Sequence, residues 1–182
     1  MHIVAVIGGK HSGKTTAVEA LVRGLVKRGY KVATVKHVSQ KNFTMDTEGK
    51  DTWRHAKAGA TITTTVAANE IATIQKGDTS RYKIDDIIKP FKTEVDVIVF
   101  EGFRKLVKTE KIPKIIAVKN KEEALEASTQ FKPILAFVGP FSTEKLNRKT
   151  PYINVLKDPN KLANTVIEKI KEKPQKKSKF SF

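Results

Sequence analysis

The chain has 182 residues and a formal net charge of +16, because 35 lysines and arginines outnumber 19 aspartates and glutamates. This excess favours a polyanionic partner, such as a nucleotide, a nucleic acid or an anionic membrane surface. The absence of cysteine excludes a disulfide framework, a thiolate metal site and a cysteine nucleophile.

Strand and helix patterns alternate along the chain. The predicted strands are apolar or β-branched runs and cover residues 2–7, 31–36, 61–68, 70–76, 95–100, 114–119 and 134–139. The predicted helices cover residues 14–28, 50–59, 80–91 and 158–172. Gly29, Gly59 and Pro90 mark three helix ends, because glycine and proline favour termination there. Asp158 as an N-cap and Pro159 at the first helical position mark the start of the last helix.

The order of these elements predicts the fold class. Strands that alternate with helices indicate an α/β fold, with a mostly parallel sheet and helices on both faces. No linker or repeat divides the chain, so we predict a single domain over residues 1–173. Residues 174–182 are rich in lysine, lack acidic residues and contain little apolar surface, which predicts a basic disordered tail.

A glycine-rich segment joins the first predicted strand to the first predicted helix. It matches the phosphate-loop pattern G-x-x-x-x-G-K-[ST] through Gly8, Gly13, Lys14 and Thr15. The glycines let successive N–H groups turn towards phosphate oxygens, Lys14 would reach the β- and γ-phosphates, and the Thr15 hydroxyl would coordinate Mg²⁺. The segment therefore predicts a P-loop NTPase fold. We predict nucleotide contacts from the whole loop: Gly8, Gly9, Lys10, His11, Ser12, Gly13, Lys14, Thr15 and Thr16.

A phosphate loop also requires an acidic residue that holds or orients the metal. Ligands of open α/β sheets bind at the carboxyl ends of the strands, and Glu101 directly follows the most apolar predicted strand. We predict Glu101 as an Mg²⁺ ligand or a catalytic, water-positioning residue; the alternative is a solvated acid at a strand end. Lys36 and His37 close the second predicted strand in the same way and are predicted to face the nucleotide. Asp46 is predicted as a further metal ligand beside Thr15 and Glu101.

Five blocks occur in order along the chain: GKHSGKTT, VATVKH, GKDTWRHAKAGA, VFEGFR and PKIIAV. Together they resemble the molybdopterin-guanine dinucleotide biosynthesis protein B family. The resemblance covers roughly residues 3–120. Its specificity comes from the KH, D-x-x-R-H-x-x-A-G-A and E-G-F blocks, because the phosphate loop alone is shared by many unrelated proteins.

This resemblance implies a GTP-binding accessory protein of molybdenum or tungsten cofactor assembly, built on the phosphate-loop fold and forming a homodimer. Such a protein binds GTP and Mg²⁺ and hydrolyses GTP slowly if at all. It assists the molybdenum cofactor guanylyltransferase that joins GTP to molybdopterin, so molybdopterin-guanine dinucleotide or its precursor is also an expected partner. Several residues match signature positions with no assigned individual role: Lys36, His37, Asp46, Asp51, Arg54, His55, Gly59, Gly102 and Phe103.

Recognition of the base has two interpretations. Asn120, Lys121 and Glu123 have the spacing of the N-K-x-D motif with which guanine-specific phosphate-loop proteins contact the base, but glutamate replaces aspartate. Contact between Glu123 and guanine would require the loop to compensate for the extra methylene. The alternative is that NKEEALEA begins a helix with acidic residues in its first turn.

Two other functions stay open on the sequence. A small-molecule phosphotransferase would use loop arginines over its substrate, for which Arg81, Arg104 and Arg148 are available. A nucleic-acid-binding ATPase is suggested by the charge alone, and nucleic acid is not an expected partner because no nucleic-acid-binding module is recognisable. The chain shows no secretory leader and no apolar run near the roughly 20 residues that cross a bilayer, so we expect a cytoplasmic protein without membrane association.

Overall fold

The computed structural model describes residues 1–91, 95–140 and 150–172 and divides the chain into two compact units. The main unit contains residues 1–37 and the described residues from 84 onwards, and the second unit contains residues 38–83. The described strands are, in chain order, β1 (His2–Gly8), β2 (Val32–Lys36), β3 (Ile62–Val66), β4 (Ile71–Gln75), β5 (Val97–Glu101), β6 (Lys114–Ala117), β7 (Ile134–Val138) and β8 (Tyr152–Ile153). The described helices are α1 (Lys14–Val26), α2 (Asp51–Lys57), α3 (Ile84–Ile88), α4 (Arg104–Val107), α5 (Lys121–Gln130) and α6 (Pro159–Lys171), and a 3₁₀ turn spans Lys89–Phe91.

The main unit is built on a six-stranded sheet in the order β2-β5-β1-β6-β7-β8, and its strand pairings are parallel. β1 lies between β5 and β6. All five residues of β5 are buried, because a central strand of a parallel sheet is covered on both faces. The predicted α/β fold with a mostly parallel sheet is therefore confirmed.

Helices cover both faces of this sheet. Val4 and Val6 of β1 face one core, whereas Ala5 and Ile7 face the other, as the alternation of side chains along a strand requires. The first core is closed by apolar residues of α1 and α6: Leu21, Leu25, Leu162 and Val166. The second core contains residues of α5 and two large aromatic side chains: Ala124, Ala127, Phe100 and Phe131. The phosphate loop thus leaves a strand that is fixed on both sides.

The second unit contains α2 and an antiparallel hairpin of β3 and β4, in which Thr64 lies opposite Thr73. Among the described residues, each hairpin strand pairs only with the other. Ile62, Val66 and Ile71 lie on one face of the hairpin, and their exposed fractions are 53%, 73% and 71%. This face therefore presents apolar side chains that the second unit itself does not cover.

The predicted strands and helices are confirmed, with three differences. The predicted helix over residues 80–91 is shorter, because α3 ends at Ile88 and Pro90 lies in the following 3₁₀ turn, where its missing N–H is tolerated. α4 and β8 were not predicted, since four and two residues are too short to show a periodic pattern. The single domain over residues 1–173 stays a prediction, and the predicted tail over residues 174–182 lies outside the described residues. Within the described ranges, no helix combines the length and apolar character needed to cross a bilayer.

Candidate phosphate-binding site

The glycine-rich loop forms the turn between β1 and α1, at the carboxyl ends of the parallel strands. Gly13 has a φ of 86° and His11 has a φ of 58°. Gly8 lies so close to β6 that a Cβ at this position would overlap the backbone oxygen of Ala117. Glycine is therefore required at position 8 by close packing and favoured at position 13 by the left-handed backbone.

Lys14 and Ser12 fold back onto the loop. Lys14 Nζ donates a hydrogen bond to the backbone oxygen of Gly9 over 2.5 Å, and Ser12 Oγ donates to the same oxygen over 2.9 Å. Burial lowers the pKa of Lys14 below its ordinary value; the Glu101 carboxylate opposes this change and the Lys36 ammonium adds to it. The Lys14 ammonium is therefore held at the loop by a carbonyl contact that a phosphate oxygen is able to replace.

The start of α1 is open to an anion. Its N-cap residue, Gly13, makes no side-chain capping bond, and the first turn of the helix contains no acidic residue. The first N–H groups of a helix have no intrahelical acceptor, and the helix dipole is positive at this end. The loop and the helix start together therefore suit a phosphate group.

Glu101 lies beside the loop because of the strand registers. In the parallel sheet Glu101 of β5 is level with Val6 of β1 on one side and with Lys36 of β2 on the other. Its side chain is largely buried, and Oε1 accepts a hydrogen bond from Thr15 Oγ1 over 3.0 Å and pairs with Lys36 Nζ at 3.3 Å. A buried carboxylate requires such partners to offset its lost hydration. The interpretation of Glu101 as a solvated acid is therefore wrong.

The pair of Thr15 and Glu101 fits a magnesium ion. Mg²⁺ is commonly held by one or two protein oxygens, with substrate phosphates and waters completing an octahedral shell. A hydroxyl and a carboxylate within hydrogen-bonding distance of each other provide two such oxygens next to the phosphate loop. The described residues contain no group of three or more His, Cys, Asp or Glu side chains that could hold a metal by themselves.

Asp46 belongs to the second unit, where it organises its own loop. Its Oδ1 accepts hydrogen bonds from the backbone N–H of Thr47 over 3.0 Å and from Thr52 Oγ1 over 2.7 Å. Its Oδ2 is buried and has no hydrogen-bond partner among the described residues. An orphaned carboxylate oxygen of this kind is compatible with a cation ligand, and the metal role of Asp46 stays a prediction.

His37 and Phe103 lie just beyond the strand ends that carry Lys36 and Glu101. The His37 N–H donates to the backbone oxygen of Glu101 over 2.9 Å, which continues the pairing of β2 and β5. The His37 ring packs edge-on against Phe103, with ring centroids 5.3 Å apart. Gly102 has a φ of 91°, and a Cβ there would lie 3.2 Å from His37 Cβ. The E-G-F block therefore needs glycine at its turn, while direct contact of His37 with nucleotide stays a prediction.

The remaining predicted residues are more exposed. The side chains of Lys10, His11 and Thr16 are exposed and make no hydrogen bond to described residues. In the second unit, Asp51 and Arg54 form an exposed ion pair at 3.9 Å within α2. The nucleotide contacts of Lys10, His11 and Thr16 stay predictions. So do the family signature positions of Asp51 and Arg54, which have no assigned role.

Glu123 has a local structural role. Asn120 is the N-cap of α5 and accepts a hydrogen bond from the Glu123 N–H over 2.9 Å. The Glu123 carboxylate accepts a hydrogen bond from the Lys119 N–H over 2.8 Å and pairs with Lys119 Nζ at 3.3 Å. These contacts support the interpretation of NKEEALEA as a helix start.

The contacts of two lysines, Lys36 and Lys114, were not predicted from the sequence. Lys36 and Glu101 each end a strand, but their ion pair depends on β2 and β5 being neighbours, which the sequence does not state. Lys114 is fully buried, and its ammonium donates to the backbone oxygens of Glu110, Ile112 and Lys132 over 2.6, 2.9 and 2.9 Å. A lysine at the head of an otherwise apolar strand was the available signal for this buried group.

A parallel α/β sheet with a phosphate loop leaving its central strand is the architecture of P-loop NTPase-like proteins, and the main unit has it. The family model described as molybdopterin guanine dinucleotide synthesis protein B matches residues 3–139, and the chain belongs to this family.

Relatives and solved structures agree with this membership. The chain is 35% identical over 115 residues to the molybdopterin-guanine dinucleotide biosynthesis adapter protein of Haemophilus influenzae, covering 63% of this chain and 61% of that protein. It is 35% identical over 123 residues to a Methanocaldococcus jannaschii protein whose name provisionally assigns it the same adapter role, covering 67% of this chain and 49% of that protein. The matched region thus spans about half to three fifths of the length of these relatives.

Two solved structures share the fold. One is a MobB protein homolog from Bacillus stearothermophilus, with a TM-score of 0.66, 21% identity and coverage of 95% of this chain and 100% of that chain. The other is Bacillus subtilis MobB, with a TM-score of 0.68, 23% identity and coverage of 92% and 97%. At these identities the likeness establishes the fold alone.

Proposed function

We propose that this chain binds GTP with Mg²⁺ and acts as an accessory protein in the synthesis of the guanine-dinucleotide form of a molybdenum or tungsten cofactor. The observation that carries the proposal is the cluster of Thr15, Glu101 and Lys36 at the mouth of the phosphate loop. Family membership and the adapter names of the relatives support the pathway. The phosphate loop supports a nucleotide as the class of ligand.

Each residue of the cluster has a role in this proposal. The loop N–H groups and Lys14 bind the phosphates, and Thr15 and Glu101 hold the metal that the nucleotide brings. Lys36 balances the charge of Glu101 when no metal is bound, because an unpaired buried carboxylate would be costly. Mg²⁺ would neutralise phosphate charge and orient the triphosphate.

We propose that hydrolysis is slow. Glu101 already accepts a hydrogen bond from Thr15 and pairs with Lys36, so its carboxylate is better suited to hold a metal than to remove a proton from water. Devices such as an arginine finger carry about 10³–10⁵ in rate, and an accessory protein does not require them. The product of the pathway would then be made by the guanylyltransferase partner, with molybdopterin as the second substrate.

We also propose that the chain forms a homodimer through the hairpin of the second unit. The apolar side chains of Ile62, Val66 and Ile71 are exposed on one hairpin face. A two-stranded sheet is marginally stable alone, and its edges offer free N–H and C=O groups. A second copy would cover the same apolar face, because a two-fold interface uses identical surfaces.

The proposal is tested by calorimetric titration of the purified chain with GTP and with ATP, each with and without Mg²⁺. We expect GTP to bind more tightly than ATP, and we expect Mg²⁺ to strengthen GTP binding. Replacing Thr15 by valine keeps the side-chain shape and removes the hydroxyl, so this variant should lose the Mg²⁺ effect. Equal binding of both nucleotides, or no response to Mg²⁺, would contradict the proposal.

A further inference from the structure

A cavity of about 140 Å³ opens beside the start of the phosphate loop. It lies against Gly8 and Gly9, on the sheet face that carries α5. Its floor is apolar and includes Ile116, Ala127 and Phe131. An engineered cavity of about 150 Å³ in another protein holds one benzene molecule, so this volume suits a ring-sized group.

The rim of the cavity is polar, and its side chains are connected by hydrogen bonds. Arg104 Nη2 donates to Gln130 Oε1 over 2.8 Å, and Gln130 Nε2 donates to Glu126 Oε1 over 2.7 Å. The Arg104 guanidinium also lies over the Phe131 ring at 5.0 Å, which fixes its direction. Gln130 therefore joins a cation and a carboxylate that both line the cavity.

This rim offers acceptors and donors at once. Glu126 Oε2 receives no hydrogen bond from the described residues, so it is available to accept one from a ligand. Glu123 also lines the cavity, but its carboxylate already contacts Lys119 through both oxygens. The Arg104 guanidinium carries five donors, of which the contact with Gln130 uses one. A ligand that fits has a flat ring, neighbouring N–H donors and a carbonyl oxygen.

We propose that this cavity binds a 2-amino-4-oxopyrimidine ring, with the Glu126 carboxylate accepting its N–H donors and Arg104 donating to its carbonyl oxygen. Guanine and pterins share this ring edge. The choice between them rests on the proposed function, because both rings occur in the dinucleotide that names the family. The contact of the cavity with Gly8 and Gly9 places the ring next to bound phosphates in either case.

The test uses the full chain and three probes: unsubstituted pterin, followed by its fluorescence, guanosine, and inorganic triphosphate. The Glu126→Gln variant keeps the side-chain shape and removes the charge. We expect it to weaken binding of at least one ring probe by about tenfold or more, since hydrogen bonds to charged groups are the strong ones. Triphosphate binding should not change. Glu122→Gln, in the first turn of the same helix and outside the cavity, is the matched control and should bind every probe as the parent does.

A second variant keeps the test independent of the Glu126 charge. Ala127→Leu fills the cavity from α5 and should reduce ring binding at least as strongly, while a thermal melt checks that the variant is folded. If pterin stays bound under saturating GTP, the cavity binds a pterin that is separate from GTP. If GTP displaces pterin and triphosphate does not, the cavity binds the guanine ring of GTP. Both outcomes support the proposal.

The proposal is overturned if neither ring probe binds the parent chain, or if ring binding is the same in Glu126→Gln and Ala127→Leu as in the parent. The proposed GTP-binding function fails on a different readout. It fails if inorganic triphosphate does not bind at the phosphate loop, which the ring probes do not measure.

Discussion

The main unit and the second unit differ most in how far the residues of their strands are buried. All five residues of β5 are buried, whereas most residues of β3 and β4 are exposed. The main unit covers its sheet with its own helices and places the phosphate loop at the carboxyl end of a central strand. The second unit leaves apolar side chains uncovered. The main unit thus buries its apolar residues by itself, whereas the second unit leaves an apolar face exposed.

The same contrast applies to the signature residues of the family. Those of the main unit, such as Glu101 and Gly102, are held by strand registers and a positive φ. Those of α2, such as Asp51 and Arg54, have exposed side chains on a short helix. The first set is therefore fixed by the sheet, whereas the second set is exposed to solvent.

The largest expected effect comes from the core. Phe100→Ala removes a fully buried aromatic side chain, and we expect it to lower the free energy of unfolding by about 3–5 kcal/mol. The control is Ile71→Ala on the exposed hairpin face, which should change it by no more than about 0.5 kcal/mol in the monomer. Urea unfolding followed by circular dichroism measures both. Equal losses at a concentration where the chain is monomeric would contradict the exposure of the hairpin face.

A smaller effect concerns the contact between α1 and α6. A Cβ at Gly24 would lie 2.5 Å from the Cβ of Ala163, so glycine lets the two helices approach closely. We expect Gly24→Ala to destabilise the main unit by about 1–3 kcal/mol, because overpacking outweighs the better helix propensity of alanine.

The matched control for Gly24→Ala is Gly77→Ala. Gly77 lies in the second unit and has no positive φ, and no described heavy atom lies within 4 Å of the position that its Cβ would occupy. We expect this substitution to be neutral or slightly stabilising, because it reduces the freedom of the unfolded chain. A larger loss at Gly77 than at Gly24 would contradict the packing described for both units.

The next prediction concerns self-association. Val66→Asp places a charge on the apolar hairpin face, and we expect it to weaken formation of the proposed homodimer by at least about tenfold, or about 1.4 kcal/mol, in analytical ultracentrifugation. Leu156→Asp is the control, because Leu156 is 75% exposed in the main unit and Val66 is 73% exposed in the second. If Leu156→Asp dissociates the dimer and Val66→Asp does not, the interface lies on the main unit.

Much of this structure was predictable from the sequence. The apolar run of β5 and the glycine pattern before Lys14 predicted a parallel sheet and a phosphate loop, because both depend on local residue types. The ion pair of Glu101 with Lys36 was not predictable, since the two residues meet only through the order of the strands. The rim of Arg104, Gln130 and Glu126 was missed for a different reason. It joins a four-residue helix, too short to show a pattern, with the end of α5.

The smallest expected effect is the pH dependence of phosphate binding. Burial lowers the pKa of Lys14 below its ordinary value of 10.5, so Lys14 loses its charge at a lower pH than an exposed lysine does. Triphosphate binding needs the charged form. We therefore expect affinity to be full below the lowered pKa and to fall as pH rises through it.

The lowered pKa of Lys14 also affects the free energy of unfolding, in the opposite direction from its effect on phosphate binding. Between the lowered pKa and 10.5 the unfolded chain binds more protons at this residue, so the contribution of Lys14 to stability increases with pH. Titrations with inorganic triphosphate from about pH 7 to pH 10 measure the binding part. Lys14→Arg stays charged over this range, so its affinity should lack the fall that Lys14 causes, and any pH dependence that remains comes from other groups, including the triphosphate itself. An identical pH profile in this variant would exclude Lys14 as the titrating group.

The central claim is that the loop between β1 and α1 binds the triphosphate through Lys14. The most direct measurement compares GTP affinity in Lys14→Ala with that in Lys27→Ala, which removes an exposed lysine at the other end of the same helix. We expect Lys14→Ala to lose about 1.5–3 kcal/mol or more of binding free energy, without loss of fold, and Lys27→Ala to bind as the parent does. GTP affinity that is unchanged in Lys14→Ala, or reduced equally in both variants, would contradict the account.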